Sequence, residues 1–204
     1  MVLIVDYKTG NFGSLVNMLK KIGVVAIVSS DISEINKAEK LILPGVGSFD
    51  TGMANLNKLE LESVLNKKVF EEKTPILGIC LGMQLFAKQS EEGKLKGLGW
   101  IDAEVIKFKF DKEFKLKIPH MGWNNIIVKK KKPLFNELEE KSKFYFVHSY
   151  HLVCKNEEEI LTTTNYGYDF VSAVKKNNIL GVQFHPEKSH KYGMKLLENF
   201  IKFY

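Results

Sequence analysis

The sequence predicts an α/β fold: a mostly parallel central sheet flanked by helices, with an additional antiparallel β region in the second half. In the first half, apolar runs that are typical of buried strands alternate with segments of helical spacing. In the second half, β-like segments follow one another with only turns between them. Strand–helix alternation is typical of a parallel sheet that helices cover on both faces. The 204 residues suffice for one substantial core, so we predict a single domain over 1–204.

The first half is predicted to hold four strands and four helices. The strands are the apolar or β-branched runs at 2–7, 24–30, 40–45 and 75–80. The helices lie at 15–23, from Asp31 onward, at 52–72 and at 81–89. Two signals set their boundaries: Gly23 is a helix stop, and Asp31 with Glu34 three positions later resembles a capping box.

The second half is predicted to be mainly β-structure that ends in a helix. The expected strands lie at 103–110, 115–129, 143–153 and 159–166. The segment 170–187 is expected to contain a hairpin at Asn177-Asn178, a pair that favours a tight turn. The final stretch, from about Tyr192, has the apolar spacing of a C-terminal helix.

Composition argues against several classes of function. No apolar stretch approaches the roughly 20 residues that span a bilayer, and the N-terminal run has no basic lead, so we expect a cytoplasmic protein without a membrane segment. Cys80 and Cys154 make no disulfide framework, and no Cys-x-x-Cys or close histidine pair predicts a metal site. All 30 basic residues behind the net charge of +6 are lysine, and without arginine the bidentate contacts typical of nucleic-acid readers are missing. We therefore expect no nucleic-acid partner.

Cys80 lies between two glycines, in the segment GICLGMQ at 78–84. A nucleophile presented on a sharp strand-to-helix turn needs small neighbours such as Gly78 and Gly82. The N-terminus of the following helix favours a thiolate and offers free N–H groups, with that of Leu81 well placed to hold an oxyanion. The pattern alone leaves open a buried structural cysteine, because free cysteine is common in cores.

His185 and Glu187 supply what a nucleophilic thiol requires. They follow an apolar strand, with Pro186 between them. In an extended segment, residues two apart project from the same side, so the carboxylate can reach the imidazole. A base oriented by an acceptor is the usual partner of an activated nucleophile.

Together, GICLGMQ and QFHPEKS (183–189) resemble the class I glutamine amidotransferases, whose triad is Cys, His and Glu. The segments LPGVGSFDTGM (43–53), IPHMGWNNI (118–126) and YFVHSYH (145–151) narrow the resemblance to glutaminase subunits that send ammonia to a separate (β/α)8-barrel cyclase. In that family the heterodimer makes imidazole glycerol phosphate and the ribonucleotide AICAR during histidine biosynthesis. The resemblance runs from VDYKTGNFGS (5–14) to the last helix, and it implies the class I glutamine amidotransferase fold.

The resemblance implies a role for each matching residue. Cys80 attacks the side-chain amide carbon of L-glutamine, His185 takes the thiol proton and returns it to the leaving ammonia, and Glu187 orients the imidazole. No metal or organic cofactor takes part. The oxyanion hole is formed by the N–H of Leu81 and an N–H from the Val46–Gly47 peptide.

Further residues match the family's substrate and partner contacts. Gln84 and Gly47 lie where the family contacts glutamine. Trp123 matches a position at the partner interface, and Tyr145 and Lys188 match residues that face the partner near the glutaminase site. From the residues alone, Trp123 is equally a core aromatic and Lys188 a surface lysine. We expect the three histidines at 120, 148 and 151 to be structural.

Two alternatives stay open. The segment GLGWIDAEV (97–105) departs from the family's pattern at Trp100 and Asp102. Related subunits supply ammonia for bacterial surface-sugar biosynthesis, with the same glutaminase chemistry and a different acceptor. The other alternative is an inactive regulatory subunit on the same fold, against which the intact Cys80, His185 and Glu187 argue.

Overall fold

The structure is a computed structural model that describes residues 1–10, 12–110, 116–130, 133–138 and 142–204. Its strands are β1 Val2–Val5, β2 Ala26–Ser29, β3 Lys40–Gly45, β4 Ile76–Cys80, β5 Gln89–Ser90, β6 Ala103–Lys107, β7 His120–Asn125, β8 Ile127–Val128, β9 Lys143–His148, β10 Tyr150–Cys154, β11 Ile160–Tyr166, β12 Tyr168–Lys176 and β13 Ile179–Val182. Its α-helices are α1 Gly13–Lys21, α2 Ile32–Lys37, α3 Phe49–Lys58, α4 Leu61–Asn66, α5 Leu81–Gln84 and α6 His190–Phe203.

Within these residues, one large sheet has the strand order β2-β1-β3-β4-β13-β12-β10-β6-β5, with β11 and β8 joined to it through β12. The neighbours from β2 to β13 are all parallel. From β12 onward, pairing is antiparallel except between β5 and β6. A separate two-stranded antiparallel sheet pairs β7 with β9. The predicted α/β fold, with its parallel centre and its antiparallel region in the second half, is confirmed.

The inner parallel strands β1, β3, β4 and β13 are buried on both faces, which explains their nearly continuous apolar sequences. Leu3 and Val5 of β1 belong to the apolar cluster on one face, together with Leu41 of β3. Ile4 and Ile42, from the same two strands, belong to the cluster on the other face. Because both sets of side chains are removed from water, this part of the sheet is a rigid platform whose strand ends hold fixed positions.

Two of the helix predictions are too long. The stretch 52–72 is broken after α3, because Glu60 has a left-handed conformation with φ 55° and a new helix starts at Leu61. A π-helical turn, Lys67–Glu71, then extends α4. The helix predicted at 81–89 ends at Gln84, since the carbonyl groups of Leu85 and Phe86 accept hydrogen bonds from the distant segment 98–101. At the end of α5, tertiary contacts therefore override local propensity.

Two of the strand predictions also differ from the structure. The predicted strand 143–153 is two strands, because β9 pairs with β7 while β10 pairs with β6, and Ser149 separates them. The predicted strand 115–129 is also two strands, because β7 begins at His120 and pairs with β9, whereas β8 pairs with β11 in the large sheet. Its first predicted residue, Lys115, lies outside the described residues.

Other local predictions are confirmed. The carboxylate of Asp31 caps α2 by accepting a hydrogen bond of 2.6 Å from the N–H of Ser33. Strands β12 and β13 form the predicted hairpin, in which Asn177 has φ 52°. No helix in the described part of the chain is long and apolar enough to cross a membrane. The single-domain organisation over 1–204 stays a prediction.

Candidate active site

The candidate active site lies at the carboxyl ends of three neighbouring parallel strands. In the register of β3 with β4, Gly45 lies beside Cys80. On the other side of β4, Ile79 lies beside Val182, the last residue of β13. The chain segments after Gly45, Cys80 and Val182 therefore meet at one edge of the sheet, where open α/β sheets commonly bind ligands.

Cys80 adopts a strained backbone conformation at the junction of β4 and α5. Its φ of 54° and ψ of −110° are unusual for a residue with a side chain. The turn is tight, because a Cβ on Gly82 would lie 1.7 Å from the carbonyl oxygen of Leu43. A Cβ on Gly78 would lie 2.6 Å from the ring of Phe86. Both glycines are required for close packing, which is the geometry predicted for a nucleophile elbow.

His185 is held from both its side chain and its backbone. Its Nδ1 lies 2.7 Å from Oε1 of Glu187, across the turn Pro186–Lys188. Its backbone N–H donates to the carbonyl of Tyr145 at 2.9 Å. The hydroxyl of Ser189, a residue that the sequence did not single out, donates to the carbonyl of His185 at 2.6 Å. These contacts fix the ring with Nδ1 toward Glu187.

The proton affinity of His185 is strongly perturbed. Burial of the ring disfavours its charged form, but its interactions with the nearby Cys80, followed by those with Glu187, outweigh burial and raise the pKa of His185 to about 10. The imidazole therefore interacts with the thiol and the carboxylate at once, and the structure brings the three predicted triad residues together. Nε2 of His185 is buried, and no atom of the described residues has the geometry of a hydrogen bond to it.

The predicted oxyanion residues lie just beyond the ends of β3 and β4. Leu81 is the first residue of α5, so its N–H has no acceptor within the helix. The N–H of Val46 donates to the carbonyl of Thr9 at 2.7 Å, so it is not free for a ligand in this conformation. Gly47 has φ 113°, and a Cβ there would meet nothing within 4 Å. A cavity of about 70 Å³ is lined by the strand end Pro44–Val46 together with His185 and Glu187.

Gln84 lies inside the protein next to a glutamine that sequence reasoning missed. The Nε2 group of Gln84 donates to the carbonyl of Tyr150 and to Oε1 of Gln183, both at 3.0 Å. Nε2 of Gln183 in turn donates to Sγ of Cys80 at 3.6 Å. Gln84 therefore has only its carbonyl oxygen left for a substrate. Gln183, His185 and Glu187 are spaced two residues apart, and this spacing was the sequence signal that could have placed Gln183 on the same side as the triad residues.

The three predicted partner-facing residues lie together beside the triad, with Trp123 and Lys188 exposed and Tyr145 half-buried. Trp123 is 46% exposed, and its ring lies 6.2 Å from that of Tyr145. Nζ of Lys188 lies 5.6 Å from the centre of the Tyr145 ring. Met121, on the same face of β7 as Trp123, is 61% exposed. The alternative interpretation of Trp123 as a core aromatic is therefore wrong.

Trp100 and Asp102, the two departures from the family pattern, lie away from the triad. The indole of Trp100 is buried, stacks on Phe86 at 4.9 Å between ring centres, and donates to Oδ1 of Asn66 at 2.7 Å. Asp102 pairs with Lys88 at 2.7 Å. Both contacts are structural, so neither departure changes the described site.

Comparison with known proteins agrees with this geometry. The sequence model of the family described as "Glutamine amidotransferase class-I" matches residues 3–203. PurLQS from Thermotoga maritima shares the fold, with a TM-score of 0.74 at 17% identity over 99% of this chain and 97% of that one. The glutaminase domain of Trypanosoma brucei CTPS, with a TM-score of 0.67 at 16% identity, covers 98% of this chain and 93% of its own. The chain belongs to the class I glutamine amidotransferase family.

Its relatives define a narrower group within that class. The chain is 60% identical over 202 residues to "Imidazole glycerol phosphate synthase subunit HisH 2" of Methanococcus maripaludis, covering 99% of each chain. It is 46% identical over 202 residues to the subunit of the same name from Pseudomonas aeruginosa, again covering 99% of each. Within class I, it is a member of the HisH subunits of imidazole glycerol phosphate synthase, the glutamine amidotransferase subunits of histidine biosynthesis.

Proposed function

We propose that this chain hydrolyses L-glutamine to glutamate and ammonia with Cys80, His185 and Glu187 as its triad. Cys80 attacks the side-chain amide carbon while His185 accepts the thiol proton. His185 then gives that proton to the departing ammonia, which leaves a thioester on Cys80. Water, activated by the same imidazole, releases glutamate and restores the thiol. Glu187 holds the ring in one orientation and stabilises its charged form.

The observation that carries this proposal is the arrangement around His185. A ring that contacts a thiol on one side and a carboxylate on the other, at 2.7 Å from Nδ1, is what acyl transfer to cysteine requires. The strained turn at Cys80 supports the same assignment, since strain of this kind clusters at functional sites.

The oxyanion of the tetrahedral intermediate would be held by backbone donors. One is the N–H of Leu81, at the start of α5. The second comes from the peptide Val46–Gly47, and the existing bond from Val46 to Thr9 means that this segment must rearrange before Val46 can contribute. Gly47 and the carbonyl oxygen of Gln84 would contact the substrate. No step in this sequence uses a metal or an organic cofactor.

The ammonia would pass to a (β/α)8-barrel cyclase subunit bound as a heterodimer. Trp123, Tyr145 and Lys188 support this part of the proposal, because they form a partly exposed group beside the triad. The cyclase would use the ammonia on a phosphorylated ribulosyl intermediate to make imidazole glycerol phosphate and AICAR. A cytoplasmic location, favoured by two cysteines that are both free, belongs to the same proposal.

Glutamate release from L-glutamine tests the chemistry. Cys80→Ala is expected to abolish release, whereas Cys154→Ala, a matched change at the other free cysteine, retains it. Given ammonium salt, the Cys80→Ala complex with the cyclase should still form imidazole glycerol phosphate. Glutamate release at the normal rate by Cys80→Ala would remove Cys80 as the nucleophile. Loss of the ammonium-driven reaction would assign it a structural role.

The acceptor is tested by adding the cyclase and its ribulosyl substrate. Product formation and stimulated glutamate release are expected with this pair. Stimulation by the barrel partner of a surface-sugar pathway, and not by the histidine-pathway cyclase, would favour the alternative acceptor. Absence of glutaminase activity with every partner would favour an inactive regulatory subunit.

A further inference from the structure

A line of hydrogen bonds leads from Cys80 into the protein interior. Sγ of Cys80 accepts from Nε2 of Gln183 at 3.6 Å, and Oε1 of Gln183 accepts from Nε2 of Gln84 at 3.0 Å. Gln84 also donates to the carbonyl of Tyr150 at 3.0 Å. Gln183 is fully buried and Gln84 is 5% exposed. Buried amides of this kind keep their partners because an unpaired one is costly.

The line continues through two histidines that face each other across β7 and β9. Nδ1 of His148 lies 2.8 Å from the same Tyr150 carbonyl, and Nε2 of His148 lies 3.0 Å from Nδ1 of His120. Nε2 of His120 then lies 3.2 Å from Nδ2 of Asn124. Among the described residues, no three His, Cys, Asp or Glu side chains are grouped as metal ligands.

The groups at the two ends of the histidine part of this line, the Tyr150 carbonyl and the Asn124 amide, define the direction of each hydrogen bond between them. A backbone carbonyl only accepts, so His148 must carry its proton on Nδ1, and its Nε2 must accept from Nδ1–H of His120. At the far end, Oδ1 of Asn124 accepts from the N–H of Asn125 at 2.8 Å, which turns the amide nitrogen toward His120. Nε2 of His120 is therefore an acceptor, and the two ends agree.

The protonation of the two rings fits this assignment. Burial lowers the pKa of His120 to about 4. Burial also holds the pKa of His148 well below its usual value, against the opposing effect of its bond to Tyr150. Both rings are therefore neutral near pH 7, each with one donor and one acceptor nitrogen.

The Gln183 amide is locked with its N–H group toward the sulfur of Cys80. The backbone carbonyl of Tyr150 only accepts, so Nε2 of Gln84 must face it, and the same Nε2 then donates to Oε1 of Gln183. If the Gln183 amide were flipped, its carbonyl oxygen would face the sulfur. Its NH2 group would then face the NH2 group of Gln84, and two donors would be in contact. A donor to the sulfur favours the charged thiolate over the neutral thiol, whereas an acceptor does the opposite. Orientation of this one amide therefore bears on the reactivity of the nucleophile.

We propose that Gln183 is a further catalytic residue, which activates the Cys80 sulfur. His148, supported by His120, is a positioning residue, because it is the second donor to the Tyr150 carbonyl and so holds in place the group that orients Gln84. This deepens the proposed function and rests on Cys80 as the nucleophile. It also changes the expectation for His120 and His148, whose buried pair would serve the site as well as the fold. His151, which contacts Tyr168 at 2.9 Å instead, stays structural.

The test measures alkylation of Cys80 by iodoacetamide at pH 7, with mass spectrometry of the Cys80 and Cys154 peptides. Cys154 is an internal reference, since burial and the charge of Glu159 raise its pKa to about 12. Gln183→Leu is expected to slow Cys80 alkylation about tenfold, as loss of a hydrogen bond to a charged group does. This readout needs no glutaminase turnover, so it separates failure of this inference from failure of the proposed function.

Three further variants separate positioning from stability. His148→Leu removes the donor to Tyr150 and should slow alkylation about threefold. His148→Asn should restore the rate, because its amide nitrogen takes the place of Nδ1. His151→Leu is the matched control: it removes a buried histidine from the same aromatic surroundings, and the Cys80 rate should not change. An unchanged rate in Gln183→Leu, or equal rates for the two His148 variants, would overturn the inference.

The unmodified protein offers a test that is independent of variant folding. Long-range ¹⁵N–¹H correlation spectra report which nitrogen of each imidazole carries the proton. Both His120 and His148 are expected to be neutral and protonated at Nδ1 at pH 7. Protonation of His148 at Nε2 would mean that the ring does not donate to the Tyr150 carbonyl, which would overturn the positioning role of the two histidines.

Discussion

Two regions of the molecule bury histidine, and they treat it in opposite ways. At the sheet edge that carries Cys80, here called the strand-end site, His185 contacts a carboxylate and a thiol, which together outweigh burial and raise its pKa to about 10. In the two-stranded sheet of β7 and β9, here called the ribbon, His120 contacts only neutral groups, and burial lowers its pKa to about 4. The two rings are similarly inaccessible, at 1% and 3% exposed.

The difference shows that neighbouring charge, more than burial, decides what a buried imidazole does. Burial alone opposes the charged form in both places. Only the strand-end site supplies negative groups, and only there can the ring hold a proton that it later transfers. The neutral rings of the ribbon are suited to fixed hydrogen bonds instead.

The change that most directly breaks this comparison is Glu187→Gln. Removing the carboxylate at 2.7 Å should lower the pKa of His185 from about 10, toward the behaviour of the ribbon. Loss of the orienting charge in comparable triads costs about 10⁴ in turnover. Glutamate release and an NMR titration of His185 check both effects. Glu159→Gln, at another buried carboxylate, is the matched control and should keep full turnover. Unchanged turnover in Glu187→Gln would mean that another group orients His185.

The triad could be read from the sequence because its members lie in two short motifs with local geometry. Gln183 was missed although it shares the period of His185 and Glu187, since its partner Gln84 is distant in the chain. The His120–His148 pair depends on the register of β7 with β9, in which these residues lie directly opposite. No local pattern encodes a pairing of strands that are separated by so many residues.

The second largest expected effect is on turnover, and it concerns the Val46–Gly47 peptide of the strand-end site. Because the N–H of Val46 is bound to Thr9, turnover by the chain alone should be slow. The cyclase with its acceptor should raise it by about 10²–10³, the value of one oxyanion donor. Such an increase requires that the partner bind the rearranged form more tightly. Glutamate release by the chain alone, with empty cyclase, and with cyclase plus acceptor measures this. Equal turnover in all three conditions would contradict it.

Two glycines with positive φ test this rearrangement: Gly47 lies in the segment that must move, and Gly23 serves as the control. Gly47→Ala should remove most of the stimulation, since alanine tolerates φ 113° poorly although its Cβ has open space. Gly23→Ala places alanine at φ 78°, also in open space and remote from the site. It should cost about 1 kcal/mol of stability and leave the stimulation intact. Loss of stimulation in both variants would point to general destabilisation.

The fold was predictable where burial alone sets the structure and less so where distant segments compete. The parallel strands were found because both of their faces are apolar. The early end of α5 was missed because the carbonyls of Leu85 and Phe86 bond to the segment 98–101. The break at Glu60 requires a left-handed residue that local propensity disfavours. At the end of α5, the deciding partners are not adjacent in sequence.

Trp123→Ala sharpens the contrast between the two faces of the ribbon, one buried around the histidines and one exposed. Truncating an exposed aromatic anchor should weaken binding of the cyclase by about 2 kcal/mol, or roughly 30-fold in Kd. The isolated chain should keep its Tm, because the side chain is 46% exposed. Trp100→Ala, at the buried tryptophan, should do the reverse and cost about 3–5 kcal/mol of stability. A large fall in Tm for Trp123→Ala with unaltered affinity would contradict this assignment.

The smallest expected effect is on the pH dependence of stability, where the ribbon and the strand-end site should act in opposite directions. A histidine whose folded pKa is lowered binds its proton more readily when unfolded, so His120 should lose stability as the pH falls from 6.5 to about 4. His185, with a raised pKa, stabilises the fold below 6.5 and loses this contribution as the pH rises through about 10. His120→Gln should therefore reduce the slope of the unfolding free energy against pH in acid, by at most about 1.4 kcal/mol per pH unit for one proton.

Urea unfolding between pH 7 and 4 measures the slope. Thr162→Val, which alters a buried hydrogen bond to Ser172 without changing a titratable group, should keep the original slope. An unchanged slope in His120→Gln would show that the ribbon accepts a proton without loss of stability, and the contrast between the two regions would then be smaller than their contacts imply.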